Sequence, residues 1–166
     1  AAEMIASKGG LGYWVWYHHT VMEYPMVILG MVATVKGDYD EAIEAFRVGF
    51  GRGATNPATG RLAMRGYAHY GKACLLKKDA TFYKEARKAM EKAVALEDKG
   101  DPKKDPLFIQ RYNLACAQAR CEEVDEALTQ LEKALHMAKN HPQINVPAFV
   151  ENQVKTDEDL AGLKDH

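Results

Sequence analysis

One signature occurs three times along this 166-residue chain, and it leaves few folds open. It reads Tyr39-Asp40-Glu41-Ala42 followed by Phe46, then Tyr83-Lys84-Glu85-Ala86 followed by Met90 and Ala93, then Val124-Asp125-Glu126-Ala127 followed by Leu131 and Ala134. Upstream of each copy stands a small residue after an apolar one: Gly30 after Leu29, Gly71 after Tyr70, Ala115 after Leu114. Gly30 to Ala42 and Ala115 to Ala127 both span 12 positions, whereas Gly71 to Ala86 spans 15, which places three extra residues near Asp79–Phe82. The small residues recur at intervals of 41 and 44, and removing those three residues makes the intervals equal. Such a period predicts an all-α fold of stacked helical hairpins, because a single hairpin cannot hide its own apolar face.

The residue types give the physical reason. Small side chains at Gly30, Gly71 and Ala115 let the second helix of each hairpin lie close to the first, with Ala42, Ala86 and Ala127 opposite. Phe46, Met90 and Leu131, one turn on, fill the space left between them. The spacing predicts a leading helix over 3–22 and a first hairpin over 23–49 that turns at Gly37-Asp38. Further helices are predicted over 61–78, 82–97, 107–121 and 124–139, with a short one over 148–154. The breaker-rich stretches 51–60 and 98–106 read as irregular. Three regions follow: 1–22, an aromatic N-terminal helix acting as cap or interface; 23–140, three hairpins; and 141–166, a closing segment.

Within these hairpins Tyr67-x2-Tyr70-Gly71-x2-Cys74, Met26-x2-Leu29-Gly30-x2-Ala33 and Arg111-x2-Leu114-Ala115-x2-Gln118 each precede an Ala-x3-large pattern. In this the chain resembles the tetratricopeptide repeat (TPR) family, whose unit is a helix-turn-helix of about 34 residues. The resemblance covers roughly residues 23–140 and implies an α-solenoid, a right-handed superhelix of antiparallel hairpins. The ending Asp157-Glu158-Asp159-Leu160-x2-Leu163 is similar to the capping segment that closes many such arrays, with Thr156 or Asp157 as N-cap. The resemblance also implies a concave face lined by the first helix of each hairpin. On this chain the groove would present Tyr24, Val27 and Met31, then Arg65, His69 and Lys72, then Tyr112, Asn113, Cys116 and Arg120. That surface would suit an extended peptide with an apolar segment and some acidic character.

Composition narrows the chemistry. A net charge of −1 argues against nucleic acid as the main ligand. Cys74, Cys116 and Cys121 fit neither metal-site spacing nor an even disulfide framework, and read as small apolar residues of a reducing intracellular compartment. His18 and His19 are adjacent and point about 100° apart on a helix, so they do not form a joint ligand pair. The interleaved Lys84, Glu85, Arg87, Lys88, Glu91 and Lys92 read as a solvated helix face. No phosphate-cradle, hydrolase-elbow or zinc-protease motif occurs in a believable context. The expectation is a chain without metal, cofactor or catalytic residues.

The most apolar stretch, Leu11–Val35, carries Glu23 as its one formally charged residue, and holds Tyr13, Trp14, Trp16 and Tyr17. These four aromatics suit an interface or a cap, since such rings join an apolar body to a polar edge. The first functional expectation is therefore a non-catalytic scaffold or adaptor that binds a peptide or subunit during assembly of a larger complex. The alternative is a permanent structural subunit of a membrane-associated complex, anchored through the aromatic N-terminal helix. A start at Ala1, without Met, is expected of a processed form or of a trimmed one, and processing would suit an organelle such as a plastid or mitochondrion.

Overall fold

The computed structural model describes residues 24–50, 60–97, 108–141 and 144–163. The expected helix over 3–22 lies outside these residues, as do 51–59 and the whole of the 98–106 break. Among the described residues the fold is all-helical, with no strand. Six main helices form sequential pairs: α1 (Tyr24–Lys36) with α2 (Tyr39–Phe50), α3 (Gly60–Leu76) with α4 (Tyr83–Glu97), and α5 (Phe108–Arg120) with α6 (Val124–Lys139). A four-residue α7 (Val146–Phe149) runs into a π-turn at Val150–Val154, and a 3-10 helix (Glu158–Leu163) closes the chain.

The pairs are built around missing side chains. A methyl group placed on Gly30 would sit 2.8 Å from the ring of Phe46, and one on Gly71 would sit 2.7 Å from Met90 Cγ and 3.0 Å from the Ala86 carbonyl oxygen. These distances are too short for real carbon atoms, so the two helices of the first and second pairs touch where the repeat places its glycines. Ala42, Ala86, Ala115 and Ala127 are fully buried, as are Phe46 and Met90. The interior these contacts define is continuous, running from Val27 and Phe46 through Tyr67 and Ala93 to Phe108 and Ala138.

Each pair turns through a left-handed residue at the same point of the repeat: Gly37 (φ 88°), Lys78 (φ 54°) and Glu122 (φ 63°). In the first and third turns the next amide donates back across the helix end, Asp38 N–H to the Ala33 carbonyl and Glu123 N–H to that of Gln118, both at 3.0 Å. The three extra residues of the second pair form a 3-10 helix, Ala80–Phe82. Asp79 caps it, its carboxylate accepting from the Thr81 amide at 2.9 Å and the Thr81 hydroxyl at 2.8 Å. The insertion therefore lengthens the turn and leaves the helix pairing unchanged.

Neighbouring pairs interlock through α2 on α3, α1 on α3, and α4 on α5. At the first junction Phe46, Phe50, Tyr67 and Tyr70 form a stack, with Phe50 and Tyr67 centroids 3.9 Å apart. Around it Arg47 grips Glu85 with two bonds, Nε to Oε1 at 3.0 Å and Nη2 to Oε2 at 2.7 Å. The Tyr70 hydroxyl donates to the same carboxylate, so Glu85 of α4 ties α2 to α3.

A left-handed non-glycine residue costs about 1 kcal/mol. Glu122→Gly should therefore raise the free energy of unfolding by about 0.5–1 kcal/mol in urea titration, and Gly71→Leu should lower it by at least ~2 kcal/mol as Met90 and the Ala86 backbone are displaced. Glu85 is held below its ordinary pKa of 4.5, chiefly by the Arg47 guanidinium. A depressed carboxylate stabilises the fold fully above its unfolded pKa and loses that contribution as pH falls through the lower folded value. Glu85→Gln should accordingly flatten the loss of thermal stability as pH falls below the ordinary carboxylate value of 4.5, relative to the parent chain.

Candidate functional site

The groove residues expected from the sequence fall into three groups. In α1, Val27 is buried, its side chain filling the space over Gly66 of α3, so it belongs to the interior. Met31 is half-buried, and the Tyr24 side chain lies outside the described set. Thr34, also buried, donates its hydroxyl to the Gly30 carbonyl at 2.7 Å.

The α3 residues form one stripe, spaced so that they share a face. Arg65, Lys72 and Leu76 are exposed and His69 is half-buried. The His69 ring sits with Nδ1 buried and without a hydrogen-bond partner. Burial, reinforced by the charges of Lys72 and Arg65, holds its pKa below the ordinary histidine range. At neutral pH this face therefore presents two fixed cations around a neutral imidazole.

The α5 residues are engaged by the chain itself. Tyr112 is buried and donates its hydroxyl to Asp157 Oδ2 at 2.5 Å. Cys116 is buried with Sγ 3.8 Å from the same oxygen. Arg120 Nε donates to Asp159 Oδ1 at 2.7 Å, with its guanidinium 5.5 Å from the Tyr83 ring centroid. At the end of α3, Lys78 pairs with Glu158 at 2.7 Å. Leu160 and Leu163 are buried, and Asp157 caps its own short helix by accepting the Asp159 amide at 2.9 Å. Only Asn113, half-buried, is left on this stripe without a described bond to the closing segment. Tyr112, Cys116 and Arg120 thus hold an acidic, leucine-bearing 3-10 helix of the same polypeptide, and the expected open groove is filled at this end. The reason lies in the tail's pattern: three successive acids meet a hydroxyl, an ammonium and a guanidinium, and the two leucines fall one turn apart.

All three thiols are shifted away from the thiolate form. Burial raises Cys74 to about 12, and burial together with Asp157 and Asp159 raises Cys116 further. Cys121 is also raised, first by partial burial and then by Glu123. The Cys116 sulfur and the Asp157 and Asp159 carboxylates come within 4.8 Å of one another, the one such group of potential metal donors among the described residues. Tyr112 and Arg120 already occupy both carboxylates, and the thiol stays protonated, so the cluster serves as a latch between α5 and the tail.

Two features escaped the sequence reading. A cleft of about 400 Å³ opens beside the aromatic junction, lined by Arg47, Phe50, Tyr67, Tyr70, Glu85, Lys88, Ala89 and Lys92. Lys92 stands 5.1 Å from the Tyr67 ring centroid. The second feature is the outer side of α1, where Leu29 and Val32 are 40% and 45% exposed, while their repeat equivalents Tyr70, Ala73, Leu114 and Ala117 are all buried. Ile28 and Val35 extend that apolar face. No described helix is long and apolar enough to cross a membrane. Tyr13, Trp14, Trp16 and Tyr17 lie outside the described residues.

Set against models of known protein families, characterised proteins and solved structures, the chain matches none of them.

If the latch works as described, Tyr112→Phe should remove one charge-assisted bond and lower stability by about 1–2 kcal/mol. The check is urea unfolding followed by circular dichroism, with the loss expected to vanish in an Asp157→Ala background, which removes the acceptor.

Proposed function

We propose that this chain is a non-catalytic scaffold whose stacked, TPR-like hairpins grip a segment of another protein. The observation that supports this reading most is the way α5 already holds a short acidic 3-10 helix of the tail through side chains, using Tyr112, Cys116 and Arg120 together with Lys78 of the turn after α3. Solenoid packing gives a reason for such a surface: each added pair extends a face formed by first helices, and extended segments suit extended faces. The exposed α3 stripe continues it with Arg65, His69 and Lys72, which favours an acidic polypeptide. Raised thiols and carboxylates committed to ion pairs are what a binding module requires, and they supply no activated nucleophile.

A second reading has its own observation. The exposed Ile28, Leu29, Val32 and Val35 of α1 form an apolar face without a covering layer among the described residues, as the permanent subunit of a membrane-associated complex would need.

Affinity capture from extracts with the intact chain, compared with Arg65→Glu/Lys72→Glu, separates the two. The scaffold reading predicts that the charge reversal abolishes capture of a discrete partner while the thermal melt stays within a few degrees. Equal capture by both proteins, with loss only on Val32→Asp/Val35→Asp, would favour the permanent-subunit reading instead.

A further inference from the structure

We infer that the α5 face is a receptor for an external protein segment of the pattern acid-acid-acid-Leu-x-x-Leu, and that Asp157–Leu163 is its resident, displaceable competitor. This rests on the scaffold reading and names its partner's chemistry. Every element of the pattern has a dedicated reader. Asp157 is read by Tyr112, Glu158 by Lys78 and Asp159 by Arg120, while Leu160 and Leu163 sink beside α5 and α6. A strand from another chain with the same residues would find the same donors, because recognition runs through side chains that the tail presents on a single short turn.

The strength of the contact is suited to exchange. The Lys78–Glu158 pair is largely in water, at 63% and 73% side-chain exposure, and such pairs contribute little. Ala161 and Gly162 between the leucines are exposed. Burial of the two leucines and the part-buried bonds of Asp157 to Tyr112 and of Asp159 to Arg120 hold the tail, and the entropy of ordering the segment from Asp157 to Leu163 offsets much of that gain. What favours the tail over a free ligand is mainly its tether, worth a local concentration on the order of millimolar. The partner's segment, when more acidic or longer, gains an additional contact at the exposed Lys72 of α3, beyond the tail's own pairing of Glu158 with Lys78.

A fluorescent peptide copying residues 155–163 tests this when titrated into the intact chain and into full-length Asp157→Asn/Asp159→Asn. Weakening the resident tail should tighten peptide binding at least ~10-fold, since the free face is then populated more often. A further Arg120→Glu should cost about tenfold or more, and so should Asn at both outer acids of the peptide. A folded double variant that does not bind the peptide overturns the proposal. Should that variant fail to fold, hydrogen exchange on the intact chain decides. Tail amides 158–163 should exchange at least about 100-fold faster than those of α5 and α6, and exchange only through global unfolding would identify a permanent cap and overturn displacement. Concentration-dependent dimers formed by exchanged tails would assign the face to a second copy and overturn the external partner. Failure of the α3 charge reversal to affect capture would leave this titration unchanged, so the two proposals fail separately.

Discussion

A close contact within the helix pairs governs the form of the molecule: the ring of Phe46 lies where Gly30 has no side chain, and Met90 lies where Gly71 has none. Bringing two helices that near requires the missing Cβ on one and a large, fully buried group on the other. Every side chain beyond that point then has its depth set, which is why Ala42, Ala86 and Ala127 fall at full burial one turn earlier on the second helices. The turn has to return the chain at the matching height, and left-handed residues at Gly37, Lys78 and Glu122 do so in all three pairs.

Close pairing solves only half of each hairpin's problem. The outer apolar side of a first helix still needs a layer, and α2 supplies it for α3 as α4 does for α5. At the far end the remaining face of α5 is covered by the tail's two leucines, and the acids between Thr156 and Leu160 fix their register through Tyr112, Lys78 and Arg120. The last described pair is thus covered by a short acidic 3-10 helix that side chains of α5 and the turn after α3 hold in place.

The helices and their pairing were legible in the sequence because they depend on local spacing. The α6 bounds, the turn at Gly37-Asp38 and the three-residue lengthening before α4 all follow from residue size and breaker positions within one unit. Contacts between units were not legible. Arg47 and Glu85 are 38 positions apart, and nothing in either residue's neighbourhood fixes the height at which α2 meets α4. The same limit explains the candidate groove. Helical spacing put Val27, Arg65, Tyr112 and Cys116 on equivalent stripes, yet Gly66 draws Val27 inward, and Asp157 covers Tyr112 and Cys116. The acids and leucines of the tail were visible as a cap; their individual partners required the fold.

The central claim is the intimate contact within each pair, and nuclear Overhauser spectroscopy reaches it most directly. The account predicts strong cross-peaks from the Gly30 α-protons to the Phe46 ring and from those of Gly71 to the Met90 methyl, with the Gly30 resonances displaced by the ring current. Random-coil Gly30 shifts, with neither cross-peak present in a helical, folded sample, would contradict it.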